Sequence, residues 1–261
     1  MTAPFLWLAL LGALAIGLSL GLLGSGGSIL TVPILVYVLG QPEKVAIAGS
    51  LLIVGAIALI GAIPWALRGQ VDGRSVLLFG VPGMLGTYLG AALANFLPGP
   101  LQLAIFALVM LAAAATMLRS PQASAAVSLR NRYRLAGDGV LVGILTGLVG
   151  VGGGFLIVPA LVLLGGLSMH RAIGTSLFII SLNAFSGFVT HYGLLRAAGT
   201  ALDWRLIGIF IAVGAVGSLV GQQIGGRLPQ LMLRRGFAAI LLLMSVYILW
   251  RSVPELLTAW H

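Results

Sequence analysis

The chain of 261 residues is 60% hydrophobic and only 7% charged, far more apolar surface than a soluble domain of this length could bury. It has no cysteine, which excludes disulfides, thiolate catalysis and Cys-ligated metals. Its net charge of +9 does not point to nucleic acid, because the basic residues sit singly in short loops, as topology signals do, with one cluster at Arg130, Arg132 and Arg134.

Apolar runs cover residues 4–40, 45–67, 74–95, 100–118, 136–166, 171–193, 204–225 and 231–250. Several reach the roughly 20 residues needed to cross about 30 Å of hydrocarbon. The pattern is that of an all-α polytopic membrane protein, and it lacks the alternation of an outer-membrane barrel. The first run has no Lys or Arg before it and no polar-bounded cleavage site, so it is not expected to be a cleaved signal peptide. It leads into the glycine cluster GLLGSGGSILTVPIL (Gly21 to Leu35). AIAGSLLI (Ala46 to Ile53) follows in the second run.

The only long polar stretch, residues 119–135, is expected to be a cytoplasmic linker between a first membrane repeat (1–118) and a second (136–261). Beyond it the same features return. GLVGVGGGFLIVPAL (Gly147 to Leu161) and AIGTSLFI (Ala172 to Ile179) lie at a constant offset of 126, and 18 of the 47 positions in 21–67 recur in 147–193 without a gap. After a five-residue insertion, Asp72 matches Asp203, Gly83, Gly86 and Gly90 match Gly214, Gly217 and Gly221, and Pro98 matches Pro229. The fold expected is two homologous halves of about five helical segments each.

If each glycine-broken run crosses twice or folds back, the halves have an odd number of segments and are inverted; one crossing each would make them parallel. With the linker inside, the odd count places ten of the 14 Lys and Arg residues in the cytoplasm and the even count nine, a narrow vote for inverted repeats.

Gly costs roughly 1 kcal/mol per helical position relative to Ala, and Pro about 3. Three glycines in four positions followed by proline therefore break a helix twice, at matching points of the two halves, which points to a binding site near the bilayer midplane. A helix restarting near Ser28 or Phe155 would present unbonded N–H groups and about half a positive charge to whatever lies in front of it. Glycine lets a ligand approach that backbone, giving an anion site without a basic side chain. The candidate substrate-binding residues are Gly24, Ser25, Gly26, Gly27 and Ser28 in the first half and Gly150, Gly152, Gly153 and Gly154 in the second. Ser50, Thr175 and Ser176 join them as hydroxyls kept by the repeat, and Asn183 as an amide two turns further along. Each has a competing structural reading: hydroxyls bond the carbonyl a turn earlier, and small residues pack helices. Gly83, Gly86 and Gly90 and their partners fit packing.

Asp72, Asp203, Glu43 and Glu255 fall at expected loop ends and Asp138 in the first turn of a helix, so no carboxylate lies mid-span to relay protons. His191, in the place of Trp65, and His170 read as structural. No P-loop, membrane-protease pair or His-rich cluster occurs, so neither an enzyme nor a cofactor is expected.

The paired glycine loops each followed by Val-Pro, the GTSL segment and the duplication resemble the TauE/SafE family of sulfite and organosulfur-anion exporters over essentially the whole chain. The resemblance implies export of a small anion across the inner membrane, with the glycine loops as its site. Its partners would be that anion and the lipid bilayer, with no nucleic acid; a homodimer is left open. A passive anion channel and a membrane assembly subunit are the competing readings.

Overall fold

The computed structural model describes residues 3–119, 132–149, 154–163 and 165–259. Among them there is no strand, and the helices fall into two sets of five. The first half holds α1 (Ala3–Leu23), α2 (Gly26–Pro33), α3 (Glu43–Leu67), α4 (Gly73–Ala94) and α5 (Gly99–Arg119). The second holds α6 (Arg132–Val149), α7 (Gly154–Leu163), α8 (Met169–Ala197), α9 (Trp204–Gly225) and α10 (Gln230–Ala259). By length and composition α3, α4, α8, α9 and Leu231–Ser252 of α10 can each cross a membrane, while Trp7–Leu23, Gly99–Ala115 and Leu135–Leu148 are shorter apolar helices. Large apolar side chains such as Trp7, Leu11, Leu85, Leu89, Val216 and Trp250 are exposed, whereas Ser25, Ser28, Thr31, Ser176, Asn183 and Ser218 are fully buried. That is the distribution a lipid solvent selects.

Local chemistry explains the breaks. Gly24 takes φ +73°, and its N–H donates to Leu20 O at 2.7 Å, a left-handed cap that ends α1. The chain then doubles back: a methyl group on Gly27 would strike Leu20, and one on Gly12 would lie 3.0 Å from Ile34, so α2 runs antiparallel to α1. Pro33 brings no N–H to the helical ladder, and the five residues after it, Ile34–Val38, form a π-helical turn closed by Leu39 N–H on Ile34 O at 3.0 Å. Together α2 and this turn span roughly 20 Å at 1.5 Å per residue, short of a full crossing. Matching six-residue caps end α2 and α7, from Gln41 N–H to Leu35 O (2.9 Å) and from Leu167 N–H to Leu161 O (3.0 Å), around left-handed Gly40 and Gly166. Asp72 and Asp203 are both N-caps, accepting from Ser75 N–H and from Arg205 and Leu206 N–H at 3.0 Å.

The helices interlock across the halves. α1 packs along α9 as its counterpart α6 packs along α4. Both contacts are glycine on backbone, with Gly17 against Gly214, Gly21 against Ser218, Gly143 against Gly83 and Gly147 against Thr87, and both pairs run parallel. The counterparts α3 and α8 instead cross antiparallel: Gly55 faces Ala184, Leu51 faces Gly187 and Trp65 faces Gly174. α5 packs on α10, and α2 meets α7.

Several boundaries differ from the sequence expectation. α2 starts at Gly26, slightly before Ser28, because glycines are tolerated in a first turn whose N–H groups have no partner in any case, and α7 is described from Gly154, next to the expected Phe155. α6 begins at Arg132, inside the expected linker, so Asp138 sits in its second turn. α10 continues to Ala259 and carries Glu255 within a helix instead of at a loop end. Residues 120–131 of the linker lie outside the described residues.

Candidate functional site

The starts of α2 and α7 face each other in the core. A methyl group on Gly154 would lie 2.9 Å from Ser28 Oγ, 3.1 Å from Ser25 Cβ and 2.8 Å from Ile180 of α8. Gly24, just before α2, comes equally close to α8: a methyl group there would lie 2.8 Å from Ile173 Cα and 3.0 Å from Ser176 Oγ. Ser176 Oγ has one hydrogen to share between two acceptors, Ile173 O at 2.8 Å and Gly24 O at 3.1 Å, and so reaches from α8 to the first glycine loop. Within the loop, Ser28 Oγ donates to Ser25 O at 2.6 Å and Thr31 Oγ1 to Gly27 O at 2.7 Å.

Ser25 stands at the N-cap of α2 yet makes no side-chain cap, and its buried Oγ has no partner. Serine at that position ordinarily bonds an N–H of the first turn. Here the N-terminal dipole of α2, a free hydroxyl and the start of a second helix converge within a buried space. Such an arrangement can hold an anion through neutral N–H and O–H donors.

Gly24, Ser25, Ser28, Gly154 and Ser176 are thus brought together, and Gly26 opens α2 beside them, whereas Gly27 faces Ile16 and Leu20 of α1. Gly150, Gly152 and Gly153 lie outside the described residues. The remaining candidates sit elsewhere. Thr175 Oγ1 accepts from Asp72 N–H at 2.9 Å and so holds the turn between α3 and α4. Ser50 Oγ donates to Ile47 O at 2.8 Å, a bond to its own helix, about three turns from Ser176 along the α3–α8 crossing. Asn183 is fully buried with neither amide atom bonded, and faces Gly83 of α4, where a methyl group would lie 3.1 Å from both. The first-half equivalent is Ile57 against Gly214, an apolar contact. Sequence reading assigned Gly83 to packing alone. The one signal in the sequence was that the amide Asn183 stands where the first half has the apolar Ile57.

His191 Nε2 lies 3.0 Å from Gly147 O and Lys44 Nζ donates to Ala94 O and Leu97 O at 2.7 and 2.8 Å, so both brace helix ends. Among the described residues no group of three His, Cys, Asp or Glu could hold a metal.

The profile of the family described as sulfite exporter TauE/SafE matches residues 8–248. The chain is 34% identical over 249 residues to a probable membrane transporter protein of Xylella fastidiosa, covering 92% of this chain and 94% of the relative. It is 29% identical to one of Haemophilus influenzae (91% and 95% covered) and 31% identical to the probable membrane transporter YunE of Bacillus subtilis (72% and 78%). No solved structure gives a significant match. A helical bundle with a lipid-suited exterior, two broken helices meeting in its core and a family match over nearly its whole length assign this chain to the TauE/SafE family, as a multi-pass membrane transporter.

Proposed function

We propose that the chain is a secondary transporter that exports a small sulfur-containing anion, sulfite or a sulfonate, across the inner membrane by alternating access. The observation that carries this reading is the meeting of α2 and α7: the start of one broken helix lies within contact of the start of the other, around the unbonded Ser25 hydroxyl. Two helix dipoles then point their positive ends at one place, and the described residues there, Gly24, Ser25, Ser28, Gly154 and Ser176, carry no cationic side chain to trap the ligand. Asn183, two turns from Ser176 on α8, adds a polar station on the same path.

Inverted repeats fit the packing, because the counterparts α3 and α8 run antiparallel while α1 follows α9 and α6 follows α4. In this arrangement the linker, Arg68, Arg74 and Arg227 share the cytoplasmic side. Pseudo-symmetric halves of opposite direction can exchange conformations and so open the central site to either side in turn.

Reconstitution into liposomes tests the proposal. Gradient-dependent flux of sulfite or a sulfonate is expected at a turnover compatible with μs–ms conformational cycling. Flux no greater than that of empty liposomes for every sulfur oxyanion tried sinks it, and currents above about 10⁶ ions per second would make the protein a channel instead, faster than such a cycle allows.

A further inference from the structure

A second set of buried polar groups lies at the junction of α3, α8 and α9, apart from the meeting of α2 and α7. Gly61 of α3 lets the three helices meet closely there: a methyl group on it would lie 2.7 Å from Ser218 Oγ and 3.1 Å from Gln222 Nε2, with Leu177 of α8 at 3.7 Å. One turn along α3 the Trp65 ring lies over Gly174. Trp65, Ser218 and Gln222 are all at least nine-tenths buried, and neither Trp65 Nε1 nor Ser218 Oγ has a hydrogen-bond partner. Gln222 Nε2 donates to Gly61 O at 2.7 Å, which leaves its second hydrogen for another acceptor.

The repeat supplies an internal control. Thr87, the counterpart of Ser218, bonds Gly83 O at 2.9 Å, and His191, the counterpart of Trp65, pairs with Gly147 O at 3.0 Å. Ala91 replaces Gln222. The same positions are satisfied locally in one junction and left open in the other. Buried polar atoms are nearly always hydrogen-bonded, so two without a partner in one junction call for an explanation.

What partner would satisfy them follows from the groups. Indole N–H only donates, the amide of Gln222 offers a hydrogen, and a serine hydroxyl turns to suit. The nearby carbonyl of Gly61 is already occupied. The junction therefore presents hydrogens, without fixed charge, to an acceptor with several oxygens. We infer that Trp65, Ser218 and Gln222 form a second oxyanion subsite, a loading station beside the central site. It takes the sulfonate or sulfite head group, an identity that rests on the exporter reading. It lies near the central site: Leu177 is the neighbour of Ser176, which bonds Gly24 O, and is three residues from Ile180, which Gly154 touches. It also lies toward the end of the bundle where the carbonyl of Gln70 reaches Gly174. On the proposed orientation that end is cytoplasmic, the side from which an exporter loads.

The five tryptophans make the station observable through their ¹⁵N-labelled indole signals in nanodiscs, with Trp65 assigned by its loss in Trp65→Phe. Addition of methanesulfonate, against chloride at equal ionic strength, is expected to shift the Trp65 signal saturably. Ser218→Ala should weaken the apparent affinity at least fivefold, and Gly154→Val, which obstructs the central site, should leave the shift in place. In flux assays Trp65→Phe should raise KM several-fold with the maximal rate within about twofold. No shift overturns the subsite and marks the junction as filled by water only. A shift abolished by Gly154→Val also overturns it, because Trp65 would then only report on the central site. Methanesulfonate flux without a Trp65 shift leaves the exporter reading intact, whereas a shift without flux of any sulfur oxyanion retains the subsite and sinks that reading.

Discussion

Gly24 and Gly154 do different work. Gly24 holds a left-handed conformation against the backbone of α8, so any side chain there meets both strain and Ile173 Cα at 2.8 Å. The atoms nearest a methyl group on Gly154 are instead side-chain atoms of Ile180, Ser28 and Ser25, at 2.8 to 3.1 Å, which can shift aside more cheaply than backbone. Gly154→Ala is accordingly expected to insert normally and lose at least tenfold in flux, while Gly24→Ala also lowers the yield of folded protein. Gly73→Ala, with nothing within 4 Å, serves as the control and should keep flux within twofold. Size-exclusion profiles beside the liposome assay separate folding from transport.

At the level of elements, helix ends are fastened by side chains reaching from neighbours. Lys44, near the start of α3, and Gln102 of α5 both donate to the carbonyls of Ala94 and Leu97, where α4 stops. These are orphan acceptors of a helix terminus, and a charged donor suits them. Lys44→Met should cost about 2 kcal/mol, the scale of a hydrogen bond to a charged group. The thermal midpoint in detergent is expected to fall by several degrees, with flux at low temperature retained; an unchanged midpoint would mean that Gln102 suffices alone. Element identity was legible in the sequence because glycine runs, prolines and the Asp72 and Asp203 caps all act through local backbone chemistry. The starts of α6 and the end of α10 were not, since polar residues such as Arg132 or Glu255 read as loop until the helix is seen to continue past the apolar run. Likewise the glycine loops were visible as helix breaks, but Trp65 and Ser218 are ordinary residue types whose lack of partners appears only in three dimensions.

For the molecule as a whole, the decisive feature is that each half donates a helix to the other. Because α1 packs on α9 and α6 on α4, residues 1–119 should not persist alone, nor should 132–261; expressed together they should reassemble and recover flux. Stable accumulation of either fragment by itself would contradict this interlocking. Orientation is tested separately. Single cysteines at Gln230 and Gln122 in this cysteine-free chain should resist an impermeant maleimide on intact cells and react once the cells are opened. Labelling of Gln230→Cys alone in intact cells would overturn the inverted arrangement but leave the meeting of α2 and α7 untouched.

The glycine seam between α1 and α9 also sets a clock on biosynthesis. Gly17 and Gly21 can find Gly214 and Ser218 only after most of the chain has left the ribosome. At about 5–20 residues per second, α1 spends on the order of ten to forty seconds in the bilayer with its small-residue face turned to lipid or to a helper protein. Among the described helices, α1 leaves the ribosome before the rest yet waits for α9 before it is housed. Quality-control proteases therefore have their longest opportunity at α1, and a lesion in α9 should be registered by the cell as an orphaned first helix.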